Sequence, residues 1–135
     1  MVAPLEDVTV IEIDNWMASP SAGAILADLG ANVIKVEPLT GDPMRDMGRP
    51  AKVPEDKKGF DYQFDVSNRG KRSIAVDLES GPGLDVVLRL VASADVFMCN
   101  LLQHRQERFG LDPTAITVSY THLRAHETSL HLVCR

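Results

Sequence analysis

Aromatic residues are scarce in this 135-residue chain: one Trp, two Tyr and four Phe, 5% of the total. Low-complexity disorder is nevertheless excluded, because 44% of the residues are hydrophobic and only 24% charged. Two cysteines, Cys99 and Cys134, are too few for a disulfide framework, which fits a reducing compartment. A basic surplus is also missing. The formal charge is -5 and the pI about 5.3, which argues against a general nucleic-acid binder. The opening "MVAPLEDVTVIEID" carries acids where a signal peptide has a basic region and an apolar run. No apolar stretch approaches the roughly 18–20 residues that span a bilayer. No membrane contact is expected, and the chain reads as soluble and cytoplasmic, large enough for one domain.

Catalytic signatures are missing as well. There is no G-x-S-x-G elbow and no Walker loop. The first strand-to-helix loop, "DNWMASPSAG", has one glycine after the bulky Trp16 and Met17. A dinucleotide site needs G-x-G-x-x-G there so that backbone can approach pyrophosphate, so an NAD-dependent oxidoreductase is a weak alternative. Glu37 at the end of the second strand is by itself poor evidence for a ribose contact.

What is present is an α/β pattern. The β-branched run from Val8 to Ile13 predicts a buried strand. Pro20 and Gly23 mark a loop turning into a helix that Ser19 or Ser21 could cap. Ala22, Ile25, Leu26 and Leu29 recur at helical spacing, and Gly30 is placed to stop the helix. Asn32 to Pro38 predicts a second strand. Strand, helix and strand within about thirty residues make a βαβ unit, hence a parallel pair with a right-handed crossover.

Leu39 to Gly59 is polar, rich in Pro and Gly, and reads as a long excursion of the functional or mobile kind. "FDYQFDV" follows as a short apolar-polar segment, with a turn at Asn68 to Gly70 and a strand from Arg72 to Leu78. Ser80 to Ala94 places Leu84, Val87, Leu88 and Val91 on one helical face. "DVFMCN" predicts a third parallel strand, and "RQERFGL" a further short helix.

The turn "NRGKRS" sets Arg69, Lys71 and Arg72 around a glycine, which suits a phosphate, although the pattern alone favours a solvated basic turn. Asn100 at a strand end, with Arg105 and Arg108 beyond it, is a second basic candidate. Asp14, Asp42 and Asp46 have no partner at a telling spacing and are expected to serve at the surface or as caps.

In order and spacing, "PLEDVTVIEI", "MASPSAGAILADLGANVIKVEP", "GDPMR", "NRGKRSIAVDL", "GLDVVLRLVASADVFMCN" and "ERFGLD" resemble the N-terminal part of the family III CoA-transferases, from Pro4 to about Ile116. The family includes formyl-CoA transferase, the carnitine CoA-transferases and α-methylacyl-CoA racemase. The resemblance implies a Rossmann-like half domain with a parallel sheet, truncated, from a protein that forms an interlocked homodimer. It implies acyl-CoA and a carboxylic acid as substrates, with no cofactor. It puts Met17, Ala18, Asn68, Arg69, Lys71, Arg72, Asn100, Leu101 and Arg108 against coenzyme A. It also implies an aspartate nucleophile that forms a mixed anhydride and then an aspartyl-CoA thioester. That aspartate belongs downstream of the matched region, so no catalytic residue is expected in this chain, and inactivity is expected. Asp112 is not its counterpart. A racemase-type enzyme and a non-catalytic CoA- or nucleotide-binding module are the alternatives.

The end, "TVSYTHLRAHETSLHLVCR", matches none of the family's continuation and resembles a translated sequencing adapter. Residues 1–117 are therefore expected to be the CoA-binding segment and 118–135 an unrelated, disordered tail. His122 and His126 share a helical face and Cys134 could join them around zinc, but the spacing fits no standard zinc pattern. No metal site is expected.

Overall fold

A computed structural model describes residues 2–47 and 62–119. The elements are β1 (Thr9–Ile13), α1 (Ala18–Asp28), β2 (Asn32–Glu37), α2 (Met44–Met47), α3 (Tyr62–Asn68), β3 (Arg72–Ala75), α4 (Gly81–Ala92), β4 (Val96–Cys99), α5 (Gln103–Phe109) and α6 (Pro113–Ser119). The strands form one parallel sheet in the order β3-β2-β1-β4. Growth from β1 through β2 to β3 runs one way, and β4 returns to the other side of β1. The sheet order therefore reverses at β1, as in a Rossmann half domain. Residues up to Leu101 form one compact unit, and those from Leu102 belong to a second.

The expected βαβ unit is present with its register fixed by hydrogen bonds, Thr9 beside Asn32 and Glu12 beside Lys35. α1 ends where Gly30 enters the left-handed region at φ 101°. Gly30 N–H donates to Ala27 O, and Ala31 N–H donates to Leu26 O. This paired closure satisfies carbonyls that the helix end leaves open. At the other terminus neither serine caps. Ser19 Oγ donates to Asp14 and Ser21 Oγ donates to Ser67, while Met17 occupies the cap position without a side-chain bond. α4 is capped as serine prefers, with Ser80 Oγ accepting from Gly83 N–H at 3.2 Å.

One segment gains a conformation and one expectation is corrected. "YQFDVSN", which the sequence shows only as an apolar-polar segment, is the helix α3. Phe64, Ser67 and Asn68 lie three and four residues apart, so only helical geometry buries them on one side. The strand β3 is shorter than predicted and ends at Ala75. The excursion from Leu39 contains α2, and its part from residue 48 to 59 lies outside the described residues, as do the three tail histidines and Cys134.

Alternation along the strands divides the core. Val10 and Val33 point to one face, where Ala31, Leu26, Ala27, Leu5, Val8 and Met98 pack on them. Ile11 and Ile13 are buried on the opposite face. A right-handed β3-α4-β4 crossover carries α4 to that second face, and Val87 and Val91 of α4 are fully buried.

A Cβ at Gly30 would collide with that of Ala3, in a backbone conformation that L-residues avoid. Gly30→Ala should lower unfolding free energy by at least about 1–2 kcal/mol from backbone strain alone. Urea titration should show a lower midpoint with an unchanged slope.

Candidate functional site

The face of the sheet that carries Val10 and Val33 becomes charged toward its carboxyl end. Period-two alternation puts Glu12 and Asp14 after Val10, and Lys35 and Glu37 after Val33. All four are buried, and Asp42 from the loop after β2 joins them. Lys35 Nζ lies 2.8 Å from both Asp14 Oδ1 and Asp14 O, 3.1 Å from Asp42 Oδ2 and 3.8 Å from Glu12 Oε1. Glu37 takes two guanidinium bonds from Arg45 at 2.7 and 2.6 Å, the Ser73 hydroxyl at 2.6 Å and the Asp42 N–H at 3.0 Å. Arg45 also stacks on Phe64, 3.7 Å from the ring centre. Lys71 Nζ donates to Glu12 Oε1 at 2.5 Å, Pro20 O at 2.7 Å and Asn68 Oδ1 at 3.0 Å.

Four carboxylates thus face three cations in a nearly dry volume, and the surplus falls on Glu12. Burial, and then the charge of Asp14, push its pKa up to about 6 despite Lys71 and Lys35. Burial acts on Glu37 in the same sense, but Arg45, Ser73 and the Asp42 N–H outweigh it and hold its pKa at about 2. Burial lowers Lys71 against the pull of Glu12. Lys35 goes the other way, because Asp14 and Asp42 overcome its burial. The Lys35 and Arg45 pairs are firmly ionic, and the Glu12–Lys71 pair is the softest contact in the network. Glu12 Oε2 has no hydrogen-bond partner. It occupies the space that a side chain at position 23 would fill, so a methyl there would force the Glu12 carboxylate to move.

Asp14 and Asp42 are accordingly ion-paired core residues and not surface groups. Asp42 still performs the expected capping, accepting from Met44 N–H at 2.8 Å. Glu37 is enclosed by protein partners, and the side chain of Asp46 lies outside the described residues. Alternating charges within otherwise β-branched strands, "VIEI" and "VIKVE", are the sequence signal of this network. It was not legible there because partner identity depends on the register.

The residues expected at the ligand fall into two groups. Met17, Ala18, Asn100 and Leu101 lie at the carboxyl ends of β1 and β4, on either side of the point where the sheet order reverses. The Asn100 amide ties the two ends together: Oδ1 accepts from Asn15 N–H at 3.1 Å and Nδ2 donates to Asn15 O at 2.8 Å. Arg69 and Arg72 are exposed at the far end of α1. Arg69 pairs with Asp28, the last residue of that helix, and Arg72 reaches Asn32 at the start of β2. An eleven-residue helix separates the groups by about 16 Å. Lys71 and Asn68 are buried between them, with 2% of the Lys71 side chain exposed. Arg108 belongs to the second unit, on α5.

An open parallel sheet whose order reverses at β1 places the chain among the α/β proteins, a class whose ligands bind outside the carboxyl ends of the strands. The family model of CoA-transferase family III matches residues 5–122, and the chain belongs to that family. It is 41% identical over 117 residues to a succinate–glutarate CoA-transferase of Agrobacterium fabrum, covering 85% of this chain and 29% of the relative. With a cinnamoyl-CoA:phenyllactate CoA-transferase of Clostridium sporogenes it shares 34% over 120 residues, 86% of this chain and 28% of the relative. The crystal structure of a CAIB/BAIF family protein from Brucella suis superposes with a TM-score of 0.76 at 39% identity, covering 86% of this chain and 30% of that one. The chain thus spans about 30% of the length of these relatives. Among the described residues no helix is long and apolar enough to cross a membrane.

Gly23→Ala should destabilise the fold by about 1–3 kcal/mol, because the added methyl displaces a buried carboxylate. Thermal melts would report it. The network also sets a pH profile. Glu12, raised above its usual 4.5, favours the fold below about pH 4.5, and that stabilisation is lost as pH rises through 6. Glu37, lowered, stabilises above pH 4.5 on the order of 2–3 kcal/mol, which is lost as pH falls toward 2. Urea titrations across pH should show Glu12→Gln flattening the slope between 4.5 and 6, and Glu37→Gln flattening it below 4.5.

Proposed function

We propose that the whole protein moves coenzyme A between an acyl-CoA and a carboxylic acid, and that this chain supplies the CoA-binding half of the site. The observation that carries this reading is family membership together with likeness to a succinate–glutarate and a cinnamoyl-CoA:phenyllactate CoA-transferase. The chemistry requires an aspartate. Its carboxylate attacks the thioester carbonyl, CoA thiolate leaves, and a mixed anhydride forms. The thiolate then attacks the aspartyl carbonyl of the anhydride, releasing the first acid and leaving an aspartyl-CoA thioester. The acceptor carboxylate opens that thioester, and the displaced thiolate captures the acceptor acyl group from the new anhydride and regenerates the aspartate. We further propose a cytoplasmic homodimer.

Asp14 and Asp42 are unsuited to the nucleophile's role, since each is buried against Lys35. Asp112 accepts from Thr114 and Ala115 N–H groups as the cap of α6. In this reading Met17, Ala18, Asn100 and Leu101 border the reactive end of the ligand, and Arg69 and Arg72 meet its phosphates. Asn68 and Lys71 hold the intervening turn, and Arg108 on α5 is a further candidate. The bidentate geometry of a guanidinium suits a phosphate.

Calorimetric titration of the 135-residue chain with coenzyme A should give micromolar binding. Arg69→Ala with Arg72→Ala should weaken it roughly tenfold and reduce its salt dependence. Succinyl-CoA and glutarate incubated with the same chain should remain unexchanged. Measured transfer of CoA to glutarate would refute the inactivity of this chain, and absence of CoA binding would refute the ligand assignment.

A further inference from the structure

Trp16 adopts φ 70°, the only non-glycine residue among those described with a left-handed backbone. A bulky aromatic residue there is a true outlier, and such strain persists only where surrounding contacts impose it. The imposing contacts are visible. On one side Asn15 is gripped through both its N–H and its carbonyl by Asn100. On the other, Met17 is the N-cap of α1, and its carbonyl accepts from Ser21 N–H at 2.8 Å. Between these anchors the chain must turn within one residue, and a glycine would do so without strain. The sequence instead places its single tryptophan there and leaves 51% of it exposed. Met17 beside it is 56% exposed. Two large apolar side chains thus stand in solvent at the carboxyl ends of the strands, where the sheet order reverses.

We propose that Trp16 is a specificity-determining residue, the apolar wall against which the acyl group of the acyl-CoA packs. The inference rests on the CoA-transfer reading and adds the side chain that meets the acyl group. The exposed guanidinium groups of Arg69 and Arg72 lie at the opposite end of α1, about 16 Å away. Coenzyme A carries all its phosphates at the nucleotide end and its thioester at the end of the long pantetheine arm. Phosphates held near Arg69 and Arg72 keep the adenine with them, so what reaches Trp16 is the acyl end. An indole next to a flexible thioether forms a soft apolar surface that favours flat or branched acyl groups over a dicarboxylate half.

The lone tryptophan is its own probe. Its emission should be recorded while the 135-residue chain is titrated with cinnamoyl-CoA, succinyl-CoA, free coenzyme A and adenosine 3′,5′-bisphosphate, with calorimetry in parallel. Binding of all four by calorimetry, with a large emission change from cinnamoyl-CoA and little from the bisphosphate, is the expected result. Trp16→Gly should raise the melting temperature by relieving the backbone, and should reduce the preference for cinnamoyl-CoA over free coenzyme A roughly tenfold. Trp16→Phe should retain most of that preference. An emission change reproduced by the bisphosphate alone would make Trp16 an adenine contact and overturn the inference while leaving CoA binding intact. Unchanged emission with calorimetric binding, or an unaltered acyl preference in Trp16→Gly, would overturn it too. Absence of heat with every CoA species would remove the CoA reading itself, and this inference with it.

Discussion

The ammonium of Lys35 is the contact on which the rest of this unit depends. It comes from the middle of β2, reaches the carboxylate and the backbone carbonyl of Asp14 at the end of β1, and meets Asp42 from the loop beyond β2. Three separate pieces of chain are thereby fixed at one point. Buried ion pairs are seldom worth more than an apolar replacement, yet deleting one partner leaves an uncompensated charge that costs about 3–5 kcal/mol. The arrangement is thus all or nothing. It tolerates no slip of β1 against β2, because a one-residue shift would send Lys35 to the opposite face.

The other charged contacts extend that fixed point outward. Arg45 and Glu37 hold the start of the loop after β2 against β3 and α3, through Ser73 and Phe64. Lys71 joins β1, the first turn of α1 and the end of α3. Each of these elements leads into a segment considered for ligand contact. The network ties the carboxyl ends of β1 and β2 to the elements around them while keeping its own carboxylates out of solvent. That division suits a site whose ligand brings its own charge and reactive group, and needs from the scaffold chiefly shape and placement.

The βαβ unit was legible from "VTVIEI", "SAGAILADLGA" and "NVIKVE", because local periodicity and Gly30 fix those boundaries without distant help. α3 was not legible: seven residues hold too little periodicity to identify a helix, and the inward side of Phe64, Ser67 and Asn68 appears only once α3 packs against α1. The charged network was equally hidden. Glu12 and Lys35 look like solvent-facing interruptions of apolar strands, and only the parallel register of β1 with β2 sets them side by side. Trp16 reads in the sequence only as a bulky residue in a loop without the dinucleotide glycines, and its left-handed backbone beside the Asn15–Asn100 clamp belongs to the fold.

The sequence by itself determined the class of fold, the family, and the separation into alternating strands and helices. These follow from short-range pattern and from an ordered set of segments, and they survive without knowledge of contacts. Tertiary structure decided which charges are interior, which cations are exposed, and how far apart the candidate ligand residues stand. "NRGKRS" reads as a single basic turn. In the folded chain Lys71 turns inward to Glu12 while Arg69 and Arg72 face outward at the far end of a helix. The physical reason is that burial and pairing depend on what another strand or helix brings within a few ångströms, and that is a property of the register and not of the residue.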